Sequence, residues 1–183
     1  MMTSTHFSIS EKWRWLCLGL AWVATAALVA APLIEIASFL FPDAMPFPVK
    51  VREVLVVTSA IPFPSRLGML ACDFVSTGFG MWLLWSLQQL LLGFTRGEIF
   101  TAGALRHLHY IALALLLGTI TDILALAPES FIATWRNGPG HREISVGLGG
   151  GDFTSLFLVG VAFVIAGVMA EAGSIAADNA EIV

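Results

Sequence analysis

The sequence predicts an all-α membrane protein in which four transmembrane helices form one bundle, a single domain over residues 1–183. The first observation is composition: 57% of the 183 residues are hydrophobic and only 12% are charged, with a mean hydropathy of +0.86. A soluble domain carries about a quarter charged residues. The second observation is the presence of four long apolar runs, because a helix needs roughly 20 such residues to cross a bilayer.

The four runs give predicted spans at about residues 15–40, 67–94, 103–127 and 153–175. The first begins near the N-terminus and could instead be a secretory signal, but its apolar run is longer than the about 7–15 residues of a signal core. Four crossings place both termini on the same side of the membrane. Small residues spaced four apart, such as Ala114 and Gly118, favour close packing of the helices in lipid.

The distribution of basic residues gives the orientation. One side carries Lys12, Arg14, Arg96 and Arg106 in short segments near the helix ends, and the other carries Lys50, Arg52, Arg66, Arg136 and Arg142 in longer loops. Since the positive-inside rule counts short segments near the membrane most strongly, we expect both termini in the cytoplasm.

Both loops on the other side contain candidate β-strands. The first holds VKVREVLVV between prolines, and the second holds REISVGLGGGD. Runs rich in β-branched residues that are bounded by Pro or Gly are typical of strands. Because a lone strand leaves backbone donors unpaired, we expect these segments to pair as a small two-stranded sheet, with an interfacial helix or an irregular loop as the alternatives.

Catalytic and metal-binding signatures are weak. The histidines are His6, His107, His109 and His141, and the cysteines Cys17 and Cys72 do not form a CxxC pair. His107 and His109 are two residues apart and therefore point to opposite sides of a helix, so they cannot share a metal ion. Nucleophile and phosphate-loop motifs are also missing. We expect a protein that is not an enzyme and that uses no metal or cofactor. The net charge of −4 argues against direct nucleic-acid binding.

Three acidic residues fall inside the predicted spans: Glu35, Asp73 and Asp122. Counting about 1.5 Å per residue from each span's start places all three in the outer third of the bilayer. Ionisable residues within a membrane are costly and point to function by default. This acidic cluster could bind a cation, relay protons or pair with Arg66 and Arg136. Simple solvation at the interface, with one or two salt bridges, is the structural alternative.

The polar stretch TRGEIFTAGALRHL separates the second and third spans. Thr101 is predicted to cap the third helix, Gly97 and Gly103 allow a tight turn, and Glu98 lies near the positive end of the helix dipole. The stretch is therefore a well-formed turn. Two large apolar residues within it, Ile99 and Phe100, either pack under the bundle or offer a surface to a partner.

GEIFT at residues 97–101, followed by Leu105 and Arg106, resembles the DUF2975 family of bacterial four-helix membrane proteins. In that family the last span leads through a glycine into an acidic tail similar to E-E-N-x-L-T-V. Here Gly173 precedes SIAADNAEIV, which ends the chain. The resemblance is good over about residues 67–183, whereas the first span matches only in layout. The tail departs from the family pattern at Ile182, where threonine is usual, and at Ala177, where an acid is common.

The resemblance implies a bacterial inner-membrane protein encoded beside small helix-turn-helix regulators of the Cro/CI type. It implies a regulatory or sensory role in which the protein binds or sequesters such a regulator, with no direct contact to nucleic acid. The residues placed at that interface are Glu98, Ile99, Phe100, Arg106, Asp178, Asn179 and Glu181. A small ion-coupled carrier that uses the acidic cluster is the alternative function. The other expected partners are the lipid bilayer and, as an alternative left open, a second copy of the chain in a homo-oligomer.

Overall fold

The computed structural model describes residues 10–43, 48–51, 54–57, 61–98, 101–135, 142, 144, 146–148 and 150–181. The side chains of the two strands and of residues 176–181 lie outside the described part. Within these limits the chain contains helix α1 (Glu11–Leu40), strands β1 (Pro48–Val51) and β2 (Val54–Val57), and helices α2 (Phe63–Thr95), α3 (Ala102–Thr134) and α4 (Gly150–Glu181).

All four helices are long and apolar enough to cross a membrane, as the sequence predicts. They contain 30, 33, 33 and 32 residues, so at 1.5 Å per residue each exceeds the roughly 30 Å hydrocarbon core. Two helices extend beyond their predicted C-terminal ends. Helix α3 continues to Thr134 rather than ending at 127, and α4 continues to Glu181 rather than ending at 175. The chain is therefore a multi-pass membrane protein whose helices extend past the hydrocarbon.

The surface of the helices is apolar. Only 6–17% of the most apolar window of each helix is buried within the protein, and large side chains such as Trp22, Phe157 and Val164 are 66–74% exposed. Contiguous exposed apolar surface of this extent is not stable in water. Lipid is therefore the solvent in which these helices are stable.

The chain divides into two compact units. Unit 1 comprises residues 1–28, 81–115 and 157–183. Its buried positions are mostly small, including Ala24, Ala112, Ala114 and Ala166 at 4% exposure or less, which allows close approach of helix backbones. An aromatic contact also joins two helices of this unit: the ring of His109 on α3 lies edge-on to that of Phe163 on α4, with ring centroids 5.8 Å apart.

Unit 2 comprises residues 29–80 and 116–156. Phe39, Ile61 and Met69 form its buried apolar cluster, and Ile132 of α3 packs against them. Met69 is only 1% exposed. Among the described residues, unit 2 also buries more hydroxyl groups than unit 1. Those of Ser38, Ser130 and Thr134 donate to the carbonyl three or four residues earlier in the same helix, as Thr134 does to Ser130 at 2.8 Å.

The two-stranded element predicted between the two loops is not supported. β1 and β2 both belong to the first loop and pair with each other in antiparallel register, from Pro48 opposite Val57 to Val51 opposite Val54. In the second loop, the described residues 142, 144 and 146–148 form no strand. The prediction was wrong about the partner because strands two residues apart can pair with little loop-closure entropy, whereas pairing between the two loops would order both.

Candidate functional site

The turn after α2 is a Schellman motif, a common way of ending a helix. The amide of Glu98 donates to the carbonyl of Gly93 at 3.1 Å, and the amide of Gly97 donates to the carbonyl of Phe94 at 3.0 Å. Gly97 has a φ of 79°, a left-handed conformation that glycine adopts without a Cβ clash. These bonds satisfy carbonyls that the end of α2 would otherwise leave open. The turn predicted from Gly97 is therefore a defined structure.

The other side of the turn is capped as the sequence predicts. The Thr101 hydroxyl accepts a hydrogen bond from the amide of Ala104 at 3.2 Å, and the Thr101 carbonyl accepts one from Leu105 at 3.1 Å. Thr101 is thus the N-cap of α3. Between this cap and Gly97 the chain has three residues, Glu98, Ile99 and Phe100, so both ends of the predicted recognition segment are held by helices.

A small polar cavity lies beside the turn, between the end of α2 and the start of α3. Its volume is about 160 Å³ and it is lined by Gln89, Leu90, Gly93, Arg96, Glu98, Thr101, Gly103, Ala104 and His107. Nδ1 of His107 is enclosed and has no hydrogen-bond partner among the described residues. The imidazole lies edge-on to Trp85 at 5.6 Å and to Tyr110 at 6.0 Å. Local sequence could not place His107 here, since α2 supplies most of its surroundings.

The predicted docking residues are described to different extents. Glu98 and Arg106 are exposed. Ile99 and Phe100 lie outside the described residues. Residues 178, 179 and 181 fall at the C-terminal end of α4, for which only the backbone is described. The turn (93–101) and this end of α4 belong to the same compact unit, unit 1.

The acidic residues predicted to share a depth are neighbours in unit 2. Asp73 lies within electrostatic range of both Glu35 and Asp122, and its side chain is hydrogen-bonded to Glu129 of α3. Glu129 is a member that sequence reasoning missed, because it lies beyond the predicted end of the third span. The side chains of Asp73 and Glu129 therefore face each other between α2 and α3.

Glu35 has a separate set of contacts. The hydroxyl of Thr77 donates to its Oε2, while its Oε1 is enclosed with no hydrogen-bond partner among the described residues. Glu35 and Asp73 are both partly buried, whereas Asp122 is exposed. The cluster thus combines a pair of carboxyl groups in contact, a carboxyl group bound to a hydroxyl and an exposed carboxyl group.

In the described part of the chain, no arginine is seen paired with the acidic cluster. Arg66 instead donates from Nη1 to the carbonyl of Phe39 at 3.2 Å and lies over the ring of Phe63, 5.7 Å from its centroid. Arg136, the second expected partner, lies outside the described residues. No group of three or more His, Cys, Asp or Glu side chains among the described positions has the arrangement that holds a metal ion.

Comparison with known proteins gives one match. A family model described as "Protein of unknown function (DUF2975)" matches residues 13–183, nearly the whole chain. No curated protein and no solved structure matches. The match includes the first span and loop, which resembled the family only in layout when judged by sequence motifs.

Proposed function

We propose, from the premise that this chain belongs to the DUF2975 family, that it is a regulatory protein of the bacterial inner membrane. Its two termini and the turn between α2 and α3 face the cytoplasm, where they bind and sequester a small helix-turn-helix transcription factor of the Cro/CI type. The regulator held at the membrane is kept from its operator, and a stimulus that alters the membrane protein releases it.

The observation that carries this proposal is the double anchoring of the turn. The Schellman motif at Gly97 and the cap at Thr101 fix the two ends of a segment whose middle contains Ile99 and Phe100. Fixing the two ends of a binding segment reduces the conformational entropy that the segment loses on binding. Glu98 beside it is exposed and carries a negative charge, which suits the rim of an interface with a basic protein.

The C-terminal residues support the same kind of partner. The sequence from 176 onward contains Asp178 and Glu181 and has no basic residue. DNA-binding surfaces are basic because they neutralise phosphates. An acidic segment in the same compact unit as the turn would compete with DNA for the basic surface of the regulator. While the membrane protein holds the regulator, the regulator therefore does not bind its operator.

Capture of the regulator tests the proposal. The full-length protein is purified in detergent and used to retain a helix-turn-helix protein encoded next to it. Phe100→Ala should reduce retention at least tenfold, because truncation of a hot-spot side chain costs about 2 kcal/mol or more. Deletion of residues 176–183 should also reduce retention, because it removes Asp178 and Glu181. Phe157→Ala is the control, since Phe157 is a lipid-facing side chain, 70% exposed on α4. Equal retention by all variants would reject the docking surface.

A second function is favoured by the acidic cluster. Four carboxyl groups from α1, α2 and α3 lie near one another, and two of them, Asp73 and Glu129, are hydrogen-bonded to each other. A proton- or cation-coupled carrier would use such a group. Asp122→Asn in proteoliposomes should then abolish substrate-dependent proton movement. If the protein is a regulator alone, no ion flux appears in the wild type, and the same substitution changes only stability.

A further inference from the structure

A groove lies between α1 and α2 in unit 1, apart from both sites described above. It encloses about 350 Å³ and is lined by Leu18, Ala21, Trp22, Thr25, Gln88 and Leu92. Ala21 is 3% exposed whereas Trp22 is 74% exposed, so the groove extends from the helix interface to the outer surface. Its volume is in the range of ligand-binding pockets, about 300–1,000 Å³.

The interior of the groove is effectively apolar. Its two polar residues are engaged with each other and with the backbone: Nε2 of Gln88 donates to the Thr25 hydroxyl at 2.7 Å, and that hydroxyl donates to the carbonyl of Ala21 at 2.8 Å. The Thr25 hydroxyl and one N–H of the Gln88 amide are thereby engaged without a ligand. A hydrocarbon chain fits a surface that offers van der Waals contact and few free polar groups.

One end of the groove is basic. Arg14 precedes Leu18 by four residues and Trp22 by eight, so the three share one face of α1, and Arg14 is exposed. Arg96, also exposed, follows Leu92 by four residues at the end of α2. Successive spans have opposite directions, so both arginines lie at the same membrane face. Arg96 also lines the polar cavity, so Arg14 is the basic residue that we assign to the groove. Glu11, three residues before Arg14 on α1, partly offsets its charge.

We propose that this groove binds an anionic phospholipid of the leaflet on that side, with one acyl chain between α1 and α2 and the phosphate beside Arg14. Acyl chains are equally apolar in every phospholipid, so the groove gains no preference from them. Preference must come from the headgroup, through a charge-assisted contact between guanidinium and phosphate. The bound lipid bridges the two helices and stabilises their packing in unit 1.

The test compares two lipids that share acyl chains and differ in headgroup charge. The full-length protein in mixed micelles is titrated with phosphatidylglycerol or phosphatidylcholine, and binding is followed by thermal stabilisation and by retained lipid in native mass spectrometry. Phosphatidylglycerol should bind more tightly to the wild type. Arg14→Gln should reduce that preference by about fivefold, which corresponds to ~1 kcal/mol per basic residue near an anionic lipid.

Lys12→Gln is the matched control, because it removes the same charge two residues away, where the side chain lies on the opposite face of α1. It should leave the preference unchanged; an equal loss in both variants would reduce the effect to general surface charge and overturn the proposal. Soluble glycerol phosphate should give no stabilisation. Stabilisation equal to that of the lipid would identify a free-phosphate site and also overturn it.

The groove itself is tested by Trp22→Ala, which removes an exposed wall without disturbing the core. It should weaken retention of both lipids, whereas Trp13→Ala, at a position that is 63% exposed but on another face of α1, should not. The oligomeric state is measured in the same micelles. If the wild type is a dimer that Trp22→Ala converts to a monomer, a second copy occupies the groove and the lipid proposal fails.

Discussion

The turn in unit 1 and the acidic cluster in unit 2 handle polar groups in opposite ways. At the turn, carbonyls at the end of α2 and amides at the start of α3 are satisfied by residues a few positions away, as Glu98 and Thr101 show. In the cluster, the partly buried carboxyl groups depend on another helix, as Asp73 does on Glu129 and Glu35 on Thr77. Local bonding gives the turn its shape independently of the rest of the chain, whereas the cluster exists only when α1, α2 and α3 are assembled.

This difference predicts how each region responds to mutation. A change in the turn removes one local bond and lets nearby water replace it, since the turn residues Arg96 and Glu98 are exposed. A change in the cluster leaves a partner at a partly buried position, where an unsatisfied polar group is costly. The cluster should therefore be the more sensitive region.

The largest effect is expected at the pair formed by Asp73 and Glu129. Glu129→Ala leaves Asp73 without its hydrogen-bond partner and should lower the free energy of unfolding by about 1–3 kcal/mol. Unfolding in mixed micelles at increasing dodecyl sulfate measures it. The double variant Asp73→Asn, Glu129→Gln replaces the pair by amides that supply both donor and acceptor, and it should be close to the wild type. The single variants Asp73→Asn and Glu129→Gln are measured beside it. If the double variant lost as much unfolding free energy as the two single variants together, the two side chains would not be coupled.

Features held by local bonds could be predicted from the sequence, whereas contacts between helices could not. Hydropathy alone predicts four helices, because the bilayer imposes a length and a polarity on each. The cap at Thr101 and the turn at Gly97 are also predicted, since both depend on residues within one turn of a helix. Glu129 was missed because no local pattern relates it to Asp73 and because it lies beyond residue 127, the predicted end of the third span.

The loops and helix faces illustrate the remaining limits. The first-loop segment was predicted as one strand that pairs with the second loop, and this β element is not supported. The segment instead contains β1 and β2, which pair with each other, because β-propensity does not specify pairing. Small residues spaced four apart were expected at helix contacts. Ala114 is buried at 2% exposure and a Cβ on Gly118 would contact Phe79 at 3.7 Å, yet Gly80 faces open space. Spacing identifies positions where close approach is possible, and the neighbouring helix decides which of them are used.

A smaller effect is expected at Gly97. Its φ of 79° is unfavourable for a residue with a Cβ, so Gly97→Ala should cost about 1–2 kcal/mol. Gly103→Ala is the control, because a Cβ there would meet the Thr101 hydroxyl at an ordinary 3.7 Å and alanine favours the helix. Unfolding in micelles should separate the two variants. Equal stability of both would mean that the left-handed turn does not persist in the folded protein.

The smallest effect is expected at Thr101, whose hydroxyl accepts one hydrogen bond at the start of α3. Thr101→Ala should cost about 1 kcal/mol, the usual contribution of an N-cap, and Thr101→Ser should restore most of it. Because the residue is exposed, the loss should appear first as faster amide hydrogen exchange at residues 103–105, with little change at the cluster. Faster exchange around Asp73 and Glu129 as well would mean that the turn and the cluster unfold together, and the contrast between local and assembled bonding would no longer hold.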